Sequence, residues 1–223
     1  MRCSELRNRS ESLILFLVRR VLASSEMKAF AYLIAFARLT GVALAEDALM
    51  DGGRSPNGNF EVRIAREATN DGSDYGVHIH SVATAKPFFT LDGIGGLLHY
   101  PAALERCHAL WHPSSQFVAV TDQGTRHSRE LYILAVYPDR AERLEVPHYV
   151  QNALGRVNAT SVDFACISSP KRWDGDDLVV DFYFTANQRR SYTCEVILHV
   201  SHGEHSAPSI QLKSVSKPSE KEG

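Results

Sequence analysis

The stretch Trp111-His-Pro-Ser-Ser-Gln-Phe117-Val-Ala-Val-Thr-Asp122 decides the fold. Its proline presets φ at the second position of a β-turn, and small polar residues complete the turn. An unbroken apolar run follows, aromatic and β-branched, which predicts a strand over 117–121. Outward from it, residues 107–111 form a strand leading into the turn, Tyr132-Ile-Leu-Ala-Val-Tyr137 a strand after the next loop, and 142–146 a last one. The same order recurs on both sides. Ser55-Pro-Asn-Gly58 precedes strands over 60–65, 75–82 and 87–91. A strand over 162–166 leads to Ser169-Pro-Lys-Arg172, which precedes strands over 178–185, 192–200 and 209–213. The prolines stand at 56, 113 and 170, a spacing of 57 both times, and the tyrosines that open the second strands lie 19, 19 and 22 residues beyond them. Trp173-Asp-Gly-Asp-Asp177 reads as an insertion that accounts for the extra length. Such coincidences in register indicate an internal repeat.

The expected fold is all-β: three antiparallel four-stranded meander repeats of about 57 residues, β-propeller-like or a compact sandwich, preceded by a signal-peptide helix. The repeat domain covers 46–215, with units at about 54–106, 107–161 and 162–215. A twisted sheet cannot bury both faces alone, so the units are expected to pack face to face through Val62, Ile64, Val77, Ile79, Val118, Val120, Leu134, Val136, Val180, Phe182, Val196 and Leu198. Helical turns are confined to 102–106 and 149–156, and the charged, Ser/Pro-rich end reads as a tail disordered over 216–223. Three units leave the first and last with uncovered faces or edges. Either the first packs on the third to close a compact monomer, or a homo-oligomer completes the ring.

Ser-Pro-Asn-Gly58 before an apolar strand, and Trp111-His-Pro-Ser-Ser before Phe-Val-Ala-Val-Thr-Asp122, a loop and Leu-Tyr-Ile-Leu-Ala-Val136, resemble the blade repeat of TolB-like and WD40-like β-propellers. That blade runs W-S-P-D-G, strand, polar loop, then an I/L-Y strand. The resemblance covers about 54–215 and implies blade-like sheets, three here where closed propellers use about 4–8. It places Trp111 at a blade-core position, whereas Trp173, in its polar insertion, is expected to be exposed.

The head of the chain differs from its body. Residues 1–45 carry seven Lys/Arg against three Glu, within a chain of 223 residues whose net charge is −2. Met27-Lys28, a nine-residue apolar stretch over 29–37, and small residues at Ala43 and Ala45 have the three parts of a secretory signal. Residues 27–45 are therefore expected to be a signal peptide cleaved after Ala45, and 1–26 an extension upstream of the true start. The product would be periplasmic or extracellular, with no stable membrane insertion after cleavage, since no 18 uncharged apolar residues run together. Cleavage leaves Cys107, Cys166 and Cys194, which allow one disulfide with one free thiol, or three reduced cysteines. The net charge offers nothing to a phosphate backbone, so nucleic acid is not an expected partner.

Ten histidines invite a test for metal binding. His78 and His80, one residue apart on a strand, share a face, and His199 takes the matching face of the third unit beside Glu195. Neutral imidazole ligates zinc, copper or nickel. The competing reading is that these are solvent-facing residues of an outer sheet face. The loops Asn70-Asp-Gly-Ser-Asp74 and Trp173-Asp-Gly-Asp-Asp177 carry oxygen ligands without the spacing of a calcium loop. Gly-x-Ser-x-Gly, His-Glu-x-x-His and Ser-x-x-Lys are absent, and Leu91-Asp-Gly-Ile-Gly-Gly96 opens no helix that would cradle phosphate. Trp173, Asp174 and Tyr100 are the candidate ligand-binding residues at the unit tips. The leading expectation is an exported, non-enzymatic β-repeat protein, without a cofactor, that binds a protein or small ligand at its loop edge. The alternatives are a metal-dependent protein or hydrolase using His78, His80 and His199, and a decayed propeller fragment.

Overall fold

A computed structural model of the chain describes residues 48–69, 72–91, 107–122, 127–202 and 207–221. All lie in one compact unit, Ala45–Gly223. The expected leader (27–45), the upstream extension (1–26), Tyr100 and the helical turn at 102–106 fall outside the described residues.

The described residues are mostly β. Strands β1 (Ala48–Arg54), β2 (Phe60–Thr69), β3 (Gly72–Ser81) and β4 (Lys86–Leu91) form one antiparallel meander. A second contains β5 (His108–Trp111), β6 (Phe117–Asp122), β7 (Ser128–Val136) and β8 (Ala141–Leu144). The third contains β9 (Cys166–Asp174), β10 (Asp177–Ala186), β11 (Arg190–Ser201) and β12 (Ser209–Val215). Helix α1 (Tyr149–Gly155) joins the second to the third. Short parallel pairings, Asp51 with His108 and Ser128 with Cys166, link the meanders into one sheet. The hydrogen-bonded path is open: it runs from β12 to β4, and these ends do not pair.

The middle meander explains why Phe117-Val-Ala-Val reads as a continuous apolar run. Alternate side chains on β6 and β7 divide between two cores. Val118, Val120, Tyr132, Leu134 and Val136 pack with Val62, Ile64, Val77 and Ile79 of the first meander. Phe117, Ala119, Leu131, Ile133 and Ala135 pack with Val180, Phe182, Phe184, Val196 and Leu198 of the third, together with Ala153 and Leu154 of α1. A sheet covered on both faces has no polar side to present. All the side chains expected in the core are buried. The first and third meanders share no hydrophobic core; each packs against a different face of the second.

Several sequence expectations change. Pro170 is not in a turn but inside β9, where the register slips between Val179 and Val180 and leaves Lys171 without a partner position. A bulge is where a strand tolerates a residue that lacks an N–H. The third turn is instead Gly175-Asp176, closing a two-residue hairpin between Asp174 and Asp177, with Gly175 at φ +61°. The supposed insertion is thus the turn itself, and Asp174-Gly175 was its signal. Residues 162–165 form no strand: the Thr185 hydroxyl accepts from the Phe164 and Ala165 N–H groups instead. The expected disordered tail forms β13 (Ser219–Lys221), paired with Ser191–Thr193 of β11. Strand β1 was unforeseen because Gly52-Gly53 reads as a breaker. Gly52 stands at φ +67°, and a Cβ there would lie 2.2 Å from the Ala109 carbonyl, so glycine lets β1 approach β5.

Candidate functional site

The turns between first and second strands of the meanders meet at one edge. In the first, Gly58 N–H donates to the Ser55 carbonyl (2.9 Å), and the Asn57 Oδ1 accepts from the Ser55 hydroxyl (2.9 Å) and the Asn59 N–H (3.0 Å). In the second, Ser115 N–H donates to the His112 carbonyl (2.8 Å), and His112 Nδ1 accepts from the Ser114 N–H (3.1 Å). Gly58 and Ser115 occupy the same place at φ +72° and +63°. The strain of a left-handed serine is offset by its hydroxyl, which accepts from the Asn57 N–H at 3.1 Å and couples the two turns.

His112 couples the second turn to the third. Because Nδ1 is an acceptor, Nε2 carries the proton and donates to the Gly175 carbonyl at 2.9 Å. Trp173 packs perpendicular to the His112 ring at 5.0 Å, and its indole N–H donates to the Leu110 carbonyl (3.1 Å). Trp111 does the same one meander earlier, donating to the Gly53 carbonyl (2.9 Å) while stacking on Phe60. Trp173 is therefore a half-buried strut, not the exposed contact its polar surroundings suggested.

Between the first two of these turns, the β7–β8 turn and the chain flanking β12 lies a cavity of about 700 Å³. Phe60 and Phe117 form part of its lining, with Asn57, Asn59 and Gln116 on the turn side. Beside them stand Tyr137, Arg140 and Glu142, the Val136 N–H donating to the Gln116 carbonyl at 2.8 Å. The Tyr137 hydroxyl donates to Glu142 Oε1 at 2.7 Å, and this bond to a carboxylate holds the phenol proton and raises its pKa. The Arg140 guanidinium lies 4.3 Å over the Tyr137 ring. His202 closes another side, its ring 4.7 Å from Phe117 and its Nε2 3.2 Å from Asp176 Oδ1.

Of the ligand residues expected from sequence, Trp173 serves the seam described above, Asp174 is held by the Arg172 Nε at 3.0 Å, and Tyr100 is outside the described residues. Neither Trp173 nor Asp174 lines the cavity. The histidines proposed for metal are placed apart in the sheet: His78 and His80 on β3, His199 on β11. His78 and His80 are each 8% exposed, so they are not solvent-facing. His78 Nδ1 lies 3.0 Å from the Thr90 hydroxyl. His199 Nδ1 meets Asp177 Oδ1 at 2.8 Å, and Asp177 also binds Lys213; Lys213 first and His199 second hold the Asp177 carboxyl below its ordinary range. Among the described residues no group of three or more His, Cys, Asp or Glu side chains is placed to hold a metal ion. Cys107, Cys166 and Cys194 are free thiols, with burial raising Cys166 and pushing Cys194 to about 11.

The lining residues Asn59, Gln116, Tyr137, Arg140 and Glu142 were not singled out from sequence, and His202 drew notice only for its spacing from His199 and His205. Each sits in or beside a turn that the sequence does mark, but only the packing of four connections on one edge makes them neighbours. Comparison with protein-family models, with curated proteins and with solved structures finds no match to this chain.

Proposed function

We propose that this chain is an exported binding protein built from propeller-like blades, which takes its ligand in the cavity at the turn-bearing edge. One observation carries the reading: the equivalent turns of the first two meanders meet, with the β7–β8 turn and the chain before β12, around about 700 Å³ of space, a volume that suits a small ligand. Binding residues gather on loops held by a rigid scaffold. Here the scaffold is a sheet buried on both faces, and the turns are tied to one another by Ser115 and His112.

The blade reading draws support from the 57-residue offset between the carbonyls that the two tryptophans bind, at Gly53 and Leu110. Export rests on the basic start, apolar stretch and Ala43-x-Ala45 pattern of the head. Intact mass of the protein recovered from the envelope or medium should begin at Glu46; a cytoplasmic product retaining Met1 refutes export.

Hydrogen exchange tests the site. Low-molecular-weight extract of the source envelope should protect amides in 57–60, 114–117 and 137–142, and Arg140→Ala/Glu142→Ala should abolish that protection. Protection confined to the outer face of the third meander, or none, refutes the assignment.

A further inference from the structure

We propose that the cavity takes a neutral saccharide; this rests on the reading of the cavity as a ligand site. The charges come first. Each ionisable side chain at the rim already has a partner: Arg140 lies over the Tyr137 ring with Asp139 at 3.9 Å, Glu142 accepts from the Tyr137 hydroxyl, and His202 Nε2 faces Asp176 Oδ1. An anion would have to compete with Asp139 for Arg140, and a cation with the Tyr137 hydroxyl for Glu142, whereas a neutral ligand needs neither charge. An apolar ligand fares no better, because it would strip water from the amide and carboxylate rim and return no hydrogen bonds.

A neutral peptide is the remaining rival, and the backbone argues against it. An extended peptide that docks by adding a strand pairs its main chain with exposed N–H and C=O groups. The turn donors here are spent within the protein. The N–H groups of Asn57, Gly58, Asn59, Ser114, Ser115 and Gln116 go to Ser115 Oγ, the Ser55 carbonyl, Asn57 Oδ1, His112 Nδ1, the His112 carbonyl and Ser114 Oγ. In the β7–β8 turn the Tyr137 N–H goes to the Arg140 carbonyl. What the cavity offers instead is side chains. Asn59 and Gln116 are exposed and their amides make no hydrogen bond among the described residues. The Tyr137 oxygen, having donated, can still accept, and Glu142 retains a second carboxylate oxygen.

Separate donors and acceptors on side chains, with aromatic residues in the lining, suit a polyol that has hydroxyls at its rim and C–H groups on its faces. Each hydroxyl both donates and accepts, which matches the mixture of amide and carboxylate groups. A monosaccharide or disaccharide falls in the ligand size that such a volume holds.

Saturation-transfer NMR on the full chain provides the test, with N-acetylglucosamine, methyl glucoside and maltose as saccharide probes. A capped alanine dipeptide and inorganic phosphate are the controls. At least one saccharide should receive transfer at its C–H protons. Asn59→Ala/Gln116→Ala, which alters only exposed side chains, should weaken that saccharide about tenfold, as expected for two lost hydrogen bonds. Absence of transfer to any saccharide overturns the proposal, as does transfer that the double variant leaves unchanged. If the dipeptide or phosphate binds and the double variant abolishes it, the cavity remains a ligand site and only the saccharide assignment falls. If no probe binds and envelope extract protects no turn amides, both readings fall.

Discussion

Trp111→Phe isolates the indole hydrogen bond that joins the first two meanders. Trp111 is 7% exposed, stacks on Phe60 at 6.3 Å with 17° between ring planes, and donates from Nε1 to the Gly53 carbonyl at 2.9 Å. Phenylalanine keeps a ring against Phe60 but removes the donor. Gly53 is itself buried, in the irregular part of β1 where its register to β2 shifts. A buried carbonyl left without its partner costs about 1–3 kcal/mol. The smaller ring adds a cavity term of roughly 1 kcal/mol, so the total expected loss is about 2–4 kcal/mol. The internal control is Trp173→Phe, which removes the equivalent bond to Leu110 at a half-buried site. Water can replace part of that bond, and the expected loss is about 0.5–1.5 kcal/mol. Urea unfolding followed by far-ultraviolet circular dichroism measures both without relying on tryptophan emission. A larger loss at Trp173 than at Trp111, or losses under about 0.5 kcal/mol at both, would refute the view that the indoles tie each meander to the one before it.

Gly52→Ala should destabilise by several kcal/mol or prevent folding, because its Cβ would meet the Ala109 carbonyl at 2.2 Å in a left-handed conformation; Gly58→Ala, in open space at φ +72°, should cost only about 1 kcal/mol in the same urea assay. Burial, partly countered by its bond to Ser168, raises the Tyr149 phenol from 10.0 to about 12. A raised folded pKa means stability fully present below pH 10 and lost as pH rises from about 10 to about 12. This amounts to up to about 2–3 kcal/mol, and Tyr149→Phe should remove that slope from the unfolding free energy. A folded-state phenol titrating near 10 would contradict this. Asp177 has a lowered pKa, so its contribution is present above about pH 4 and fades as pH falls below it. Lys213→Ala, which removes the largest cause, should flatten that acid limb by less than about 1 kcal/mol, as expected for a surface pair. An unchanged acid limb would show that the pair contributes nothing.

Alternation and turn chemistry determined most of the fold from sequence alone. The strand after each proline or glycine turn, the inward set from Val62 to Leu198 and the helix after Pro147 follow from local rules: period two, φ at proline, and apolar run length. Register across a bulge did not follow, since Pro170 and Asp174-Gly175 offer two turn signals within a few residues. Only pairing with β10 chooses between them. The sequence also did not reveal β1, whose glycines look like breakers until the close approach of β5 is known. The cavity was equally hidden. Asn59, Gln116, Arg140, Glu142 and His202 come from four separate connections, and no spacing rule relates them. They line one cavity because two hydrophobic cores, formed on opposite faces of the middle meander, bring the turns to a common edge. Local preference decides what each segment becomes, while the meeting of distant segments depends on which faces bury each other, a long-range energy that no short stretch of sequence carries.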